Sequence, residues 1–140
     1  MINNLGAGIY TAIVTDANGC TDNVSVTINE PTALISTITN VQNLACFGDN
    51  DGQITTSTTG GTGAYTLLWN NGDTTNNITN LSGGNYILTI TDANNCTTII
   101  DSMITEPTAL SLQLTETSID CNGNGNGSIA LTTTGGAGNY

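Results

Sequence analysis

Hydrophobic and polar residues alternate along most of the chain, in short runs separated by turn residues. The clearest run lies at 86–91, where Tyr86, Leu88 and Ile90 fall on one face of the predicted strand. A period of two is typical of a half-buried β-strand, and no segment shows the 3.6-residue period of a helix. The pattern therefore predicts an all-β chain, with strands in its central part near 34–42, 53–59, 65–69, 75–80, 86–91 and 96–105.

Turn residues separate the predicted strands and indicate how some of them connect. The segment 70–73, Asn-Asn-Gly-Asp, predicts a hairpin turn after the strand at 65–69, because Asn and Gly accept the positive φ angles that such turns need. Asp16 and Asp92 each open an Asp-Ala-Asn turn. Their carboxylates are expected to cap the backbone of these turns.

The chain repeats itself with a period of about 76 residues. The segment 30–34, Glu-Pro-Thr-Ala-Leu, returns letter for letter at 106–110, and 10–20 returns in closely similar form at 86–96. A repeat of this length indicates a tandem array of small domains. The chain is therefore expected to contain the C-terminal half of one repeat (1–33), a complete repeat (34–109) and the N-terminal half of the next (110–140).

The strand pattern of one repeat predicts tandem small immunoglobulin-like β-sandwiches, with Trp69 on the third strand and Tyr86 at the start of the next-to-last. We expect Trp69, Tyr10 and Tyr86 to be core residues, with the tyrosine hydroxyls directed outward. Pro31 and Pro107 each follow the last strand of one repeat. Because proline fixes its own φ angle and holds the preceding residue extended, neighbouring sandwiches are expected to form a rod.

The composition excludes several classes of function. The chain has eleven carboxylates and no Lys, Arg or His, so its formal charge is −11. Phosphate neutralisation needs Lys or Arg, and most acid–base catalysis needs His, so we expect neither a nucleic-acid partner nor an enzyme. An anionic membrane would repel the chain, and no apolar run approaches the ~18 residues of a membrane span, so direct membrane insertion is not expected. Thr, Asn and Gly make up 64 of the 140 residues, which is typical of strands and turns.

The four cysteines lie beside turns, at fixed phases of the repeat. Successive spacings of 26, 50 and 25 residues lack the close clusters of zinc sites, so disulfides in an oxidising exterior are favoured. Within one repeat the available pair is Cys46 with Cys96, and this pairing is preferred, with Cys20 and Cys121 bonded to cysteines outside the segment. The alternative links neighbouring repeats, as Cys20 with Cys46 and Cys96 with Cys121.

Asp49 and Asp51 resemble the opening of a calcium-binding loop, because carboxylates at alternate positions before a glycine suit that ion. No glutamate follows at the distance that such a loop requires. A plain turn between the first two strands of the repeat is therefore favoured over calcium, and no cofactor is expected.

The motifs, taken in order, resemble the SprB-type repeat of gliding-motility adhesins and related surface proteins in Bacteroidetes. They are C-x-G-x-x-D-G-x-I from Cys46, T-G-G-x-G-x-Y-x-x-x-W from Thr59, N-G-D-T-T from Asn71, I-x-N-L-x-x-G-x-Y from Ile78 and V-T-D-A-N-G-C from Val14, with a closing E-P. The resemblance covers the whole chain. In the third repeat an Asn-Gly pair stands where the second repeat has Asp51-Gly52.

The resemblance implies an extracellular filament at the bacterial cell surface, exported by type IX secretion and moved by the gliding machinery. Its implied partners are neighbouring repeats of the same chain, the gliding and secretion machinery, and a substratum or polysaccharide. The triplets at 73–75 and 101–103 are also similar to the O-glycosylation acceptor pattern of these bacteria. Thr74 and Ser102 are therefore candidate glycosylation sites.

Two classes of function fit the sequence. The favoured one is a structural repeat segment of a long cell-surface adhesin filament that serves gliding motility and surface attachment. The alternative is a carbohydrate-binding β-sandwich module of a secreted protein, which exposed aromatic residues would mark. The chain has six aromatic residues, most of them expected to face inward, so the filament is favoured.

Overall fold

The computed structural model describes residues 1–138, and within them it contains ten β-strands and no helix. The strands are β1 (Gly8–Thr15), β2 (Thr21–Ile28), β3 (Ile35–Gln42), β4 (Gly52–Thr59), β5 (Thr66–Trp69), β6 (Asn77–Leu81), β7 (Gly84–Thr91), β8 (Thr97–Ile104), β9 (Thr108–Thr117) and β10 (Ser128–Gly136).

Strands β3 to β8 form a sandwich of two three-stranded antiparallel sheets, ordered β3-β4-β6 and β5-β7-β8. Their inner faces enclose one hydrophobic core, made of Leu44, Ile54, Trp69, Ile78, Leu81, Tyr86, Leu88, Ile90 and Ile104. The predicted all-β sandwich is confirmed, because the alternation along each strand directs one face of each sheet into this core. Its immunoglobulin-like connectivity stays a prediction.

The chain crosses between the two sheets after β5. The tight turn predicted at 70–73 is present, with the Trp69 N–H donating to the Asp73 carbonyl at 2.8 Å. The predicted hairpin is nevertheless wrong, because β6 pairs with β4 in the other sheet. The Trp69 indole N–H donates to the Thr75 carbonyl at 3.0 Å, which ties the crossing segment to the edge of the core.

The other four strands form two separate antiparallel pairs, β1 with β2 and β9 with β10, and neither pair has a facing sheet among the described residues. By the 76-residue offset, β1–β2 corresponds to β7–β8. Val14 on β1 is 70% exposed, whereas Ile90, the equivalent residue on β7, is 0% exposed. The same alternation therefore produces a core only where two sheets face each other.

Candidate functional site at the repeat junction

The connection between β8 and β9 is short and anchored to a neighbouring loop. Only three residues separate the two strands. The Thr105 carbonyl accepts a hydrogen bond from the Leu44 N–H at 3.0 Å, and the Thr105 N–H donates to the Asn43 side-chain oxygen at 2.9 Å. Pro107 limits the backbone further through its fixed φ angle. The junction is therefore held against the β3–β4 loop (43–51).

Glu106 supplies a second anchor between the junction and the β3–β4 loop. One of its carboxylate oxygens accepts a hydrogen bond from the Gly48 N–H at 3.1 Å. Gly48 has a φ of 80°, a conformation that suits glycine. Because Leu44 and Gly48 are both tied to the junction, Cys46 between them is fixed at this end of the sandwich.

An open cleft of about 500 Å³ lies where the complete repeat meets the next one. Residues 45–47 line one side, and residues 107–110 and 136–138 line the other. Phe47 is 58% exposed there. The β3–β4 loop of one repeat therefore lies beside the end of β10 in the following repeat.

At the opposite end of the complete repeat, the backbone that leads into β3 packs against the loop at 60–63. The Gly61 N–H donates to the Thr32 carbonyl at 2.8 Å. Gly60 has a φ of 75°, and a Cβ there would lie 1.8 Å from the Ala33 carbonyl oxygen. Only glycine permits this approach. The same close approach occurs in the third repeat, where a Cβ on Gly135 would lie 2.0 Å from the Ala109 carbonyl oxygen.

Asp92 joins the 60–63 loop to the β7–β8 turn (92–96). Its side chain is 4% exposed and accepts hydrogen bonds from the backbone N–H groups of Thr62 at 2.9 Å, Asn94 at 2.9 Å and Cys96 at 2.8 Å. Asp16 makes the two equivalent bonds within the β1–β2 turn (16–20), as predicted for turn-capping carboxylates. The bond from Asp92 to Thr62 could not be read from the sequence, because it links residues 30 positions apart.

Burial raises the pKa of Asp92, but hydrogen bonds from the backbone of Cys96, Thr62 and Asn94 outweigh burial and hold the pKa below its ordinary value. A carboxylate with a lowered pKa stabilises the folded state fully above its unfolded pKa, and the contribution is lost as pH falls through the lowered value. The stability advantage of the parent chain over the Asp92→Asn variant should therefore be largest near neutral pH.

This advantage should shrink below about pH 3.8. Urea unfolding from pH 7 to pH 2.5, followed through Trp69 fluorescence, measures the difference between parent and variant. The Asp101→Asn change is the matched control, and it should change the free energy of unfolding little at pH 7 because Asp101 is exposed. An Asp92→Asn difference that does not vary with pH would contradict the assignment.

The predicted disulfide between Cys46 and Cys96 is wrong. All four cysteines are exposed and unpaired, and neither alternative pairing forms. Cys96 immediately precedes β8, whereas Cys46 lies in the loop tied to the residue after β8. Eight residues of strand at ~3.3 Å each separate the two ends by about 26 Å, far beyond the ~7 Å limit between disulfide-bonded Cα atoms.

The structure places the remaining predicted sites as follows. Asp51 accepts a hydrogen bond from the Ala45 N–H at 3.4 Å, and the Asp49 N–H donates to the Cys46 carbonyl. Asp49 and Asp51 therefore lie in a hydrogen-bonded turn. Among residues 1–138, no group of three or more Asp, Glu or Cys side chains could hold a metal ion. Thr74 is exposed and Ser102 is half-buried.

The predicted aromatic residues occupy the inner face of the sandwich or its equivalent. Trp69 and Tyr86 are buried, and Tyr10 is half-buried in a pair that has no facing sheet. Each tyrosine hydroxyl donates to a backbone carbonyl four residues upstream, Tyr86 to Ser82 at 3.1 Å and Tyr10 to Gly6 at 3.0 Å. Pro31 and Pro107 both lie at junctions.

These features define a tandem-repeat β-sandwich protein with closely anchored junctions. Two segments of the chain, 38–74 and 114–140, match the family model of the SprB repeat. The two segments begin at the same phase of successive repeats, so the resemblance inferred from the motifs is confirmed over these segments, and the family belongs to cell-surface proteins. Comparison with curated proteins and with solved structures found no match. No helix within residues 1–138 is long and apolar enough to cross a membrane.

Proposed function

We propose that the chain is a stiff segment of a long extracellular filament at the bacterial cell surface, in which each repeat spaces and orients its neighbours. The anchored junction carries this proposal. Three connecting residues bonded through Thr105 and Glu106 leave little freedom for one sandwich to swing against the next. A filament of this kind transmits force along its length, which supports a role in surface attachment and gliding motility.

The proposed partners follow from this role. Neighbouring repeats of the same chain contact each other at the junctions, and the gliding and type IX secretion machinery would move and export the filament. The surface is acidic throughout, with a formal charge of −11 and no cationic side chain. Like charge keeps parallel filaments apart at low salt. We propose a non-enzymatic role, because the chain lacks the side chains that most catalytic sites use.

The carbohydrate-binding alternative has less support. Trp69 and Tyr86 are buried, and Tyr65 packs against the core with its hydroxyl donating to the Gly60 carbonyl. Phe47 at the junction is the one strongly exposed aromatic side chain among residues 1–138. A flat platform of stacked aromatics for sugar rings is therefore missing from this part of the chain.

A rod is the expected shape of consecutive repeats. Three tandem copies of residues 34–109 should show, by small-angle X-ray scattering, a maximum dimension close to three domain lengths. The matched control replaces Glu106 and Pro107 by glycine at each junction, which removes the carboxylate anchor and the fixed φ angle. The control should give a shorter and broader distance distribution. Identical distributions for the two proteins, both broad and short, would overturn the stiff filament.

A further inference from the structure

The Glu-Pro-Thr-Ala-Leu segment has two different cysteine neighbours in its two copies. At 106–110 its last four residues line the cleft that holds Cys46, a cysteine of the repeat before that junction. At 30–34 all five residues line a cleft with Cys96, a cysteine of the repeat after that junction. Since the two segments are identical in sequence and occupy the same phase, one junction would bring both types of cysteine to one place.

The loop beyond β10 leads to the same conclusion by a second route. Residues 136–138 lie across the cleft from Cys46, and their equivalents in the complete repeat are 61–63. That loop makes two hydrogen bonds to the β7–β8 turn. The Thr62 N–H donates to the Asp92 carboxylate, and the Ala93 N–H donates to the Thr62 carbonyl at 3.0 Å. Cys96 is the last residue of this turn, and its N–H donates a hydrogen bond to the Asp92 carboxylate.

We propose that consecutive repeats are joined by a disulfide between the β3–β4 loop cysteine of one repeat and the β7–β8 turn cysteine of the next. Cys46 would bond to the counterpart of Cys96 in the third repeat, about 125 residues downstream of Cys46 by the offset between Tyr65 and Tyr140. Cys96 and Cys20 would each bond to the β3–β4 loop cysteine of the repeat before their own. Cys121 would bond to the β7–β8 turn cysteine of the repeat after its own.

The chemistry needs an oxidant with a disulfide of its own. Two thiols lose two protons and two electrons as the sulfur–sulfur bond forms, and the disulfide of the oxidant is reduced to two thiols. All four cysteines are exposed, so such an oxidant can reach them. Successive bridges would overlap along the chain, because each closes a loop longer than one repeat. A pulling force could then extend the filament only slightly before the bridges carried the load.

The test extends the third repeat with residues of the complete one. A second copy of residues 66–109 is fused after Tyr140, which matches Tyr65 in the repeat, and the extended chain is treated with glutathione disulfide. One protein disulfide should form, seen as a linked peptide pair about 2 Da lighter than its two free peptides, whereas the three exposed cysteines without a partner should take up glutathione. Peptic mapping in acid should identify Cys46 joined to the appended copy of Cys96.

Serine variants separate this pairing from its rivals. Cys46→Ser should abolish the bridge, whereas Cys121→Ser, a change at another exposed loop cysteine, should leave it intact. Native fluorescence of Trp69 and of its appended copy checks that each protein is folded. A bond from Cys46 to Cys96 of its own repeat, a bond from Cys20 to Cys46, or a folded chain with no bond between two of its own cysteines would each overturn the proposal. The rod measured by scattering is independent of this result.

Discussion

Replacing Leu88 by alanine should destabilise the complete repeat by about 2–5 kcal/mol, the cost of emptying a well-packed leucine site. Leu88 lies on the inner face of β7 and is 0% exposed. A domain of this size has a total unfolding free energy of about 4–11 kcal/mol, so the variant should lose a large part of it. Urea unfolding measures the loss, and Trp69, the only tryptophan, restricts the signal to this sandwich.

Leu68→Ala is the matched control for this experiment. Leu68 lies on β5, directly paired with the strand that carries Leu88, but it is 55% exposed. The same substitution should therefore change stability by less than about 1 kcal/mol, because little apolar area leaves the protein interior. Equal losses for the two variants would contradict the inner and outer faces assigned to this sheet.

The strands could be predicted from the sequence because alternation is a local property. Tyr86, Leu88 and Ile90 were expected on one face, and all three are buried. The path of the chain between sheets could not be predicted in the same way. The turn at 70–73 has the residues of a hairpin, and it forms, yet the buried Ile78 of β6 faces the core from the opposite sheet. Long-range packing therefore decided the pairing.

The disulfide prediction failed for a related reason. Sequence spacing places Cys46 and Cys96 in one repeat, but it does not show which end of β8 each cysteine lies near. That depends on the bonds of Leu44 and Gly48 to the junction, which join residues about 60 positions apart. The identical copies of the Glu-Pro-Thr-Ala-Leu segment did identify the junction. Their contacts became visible only in three dimensions.

Gly60→Ala should also destabilise the complete repeat strongly, by about 2–5 kcal/mol, since it combines backbone strain with a steric clash. The φ of 75° is unfavourable for alanine, and its Cβ would lie 1.8 Å from the Ala33 carbonyl oxygen. Backbone cannot move aside as a flexible side chain can, so the segment leading into β3 would have to shift. The hydrogen bond from the Gly61 N–H to Thr32 would be lost with it.

Gly72→Ala separates the two causes. Gly72 has a φ of 92°, and a Cβ at this position would meet nothing within 4 Å. This control should therefore cost only the strain of the left-handed conformation, about 1–2 kcal/mol. Urea unfolding of both variants, followed through Trp69 fluorescence, gives the difference that belongs to the junction contact. If Gly60→Ala and Gly72→Ala lower the free energy of unfolding by the same amount, the close approach of Gly60 to the junction backbone does not stabilise the repeat.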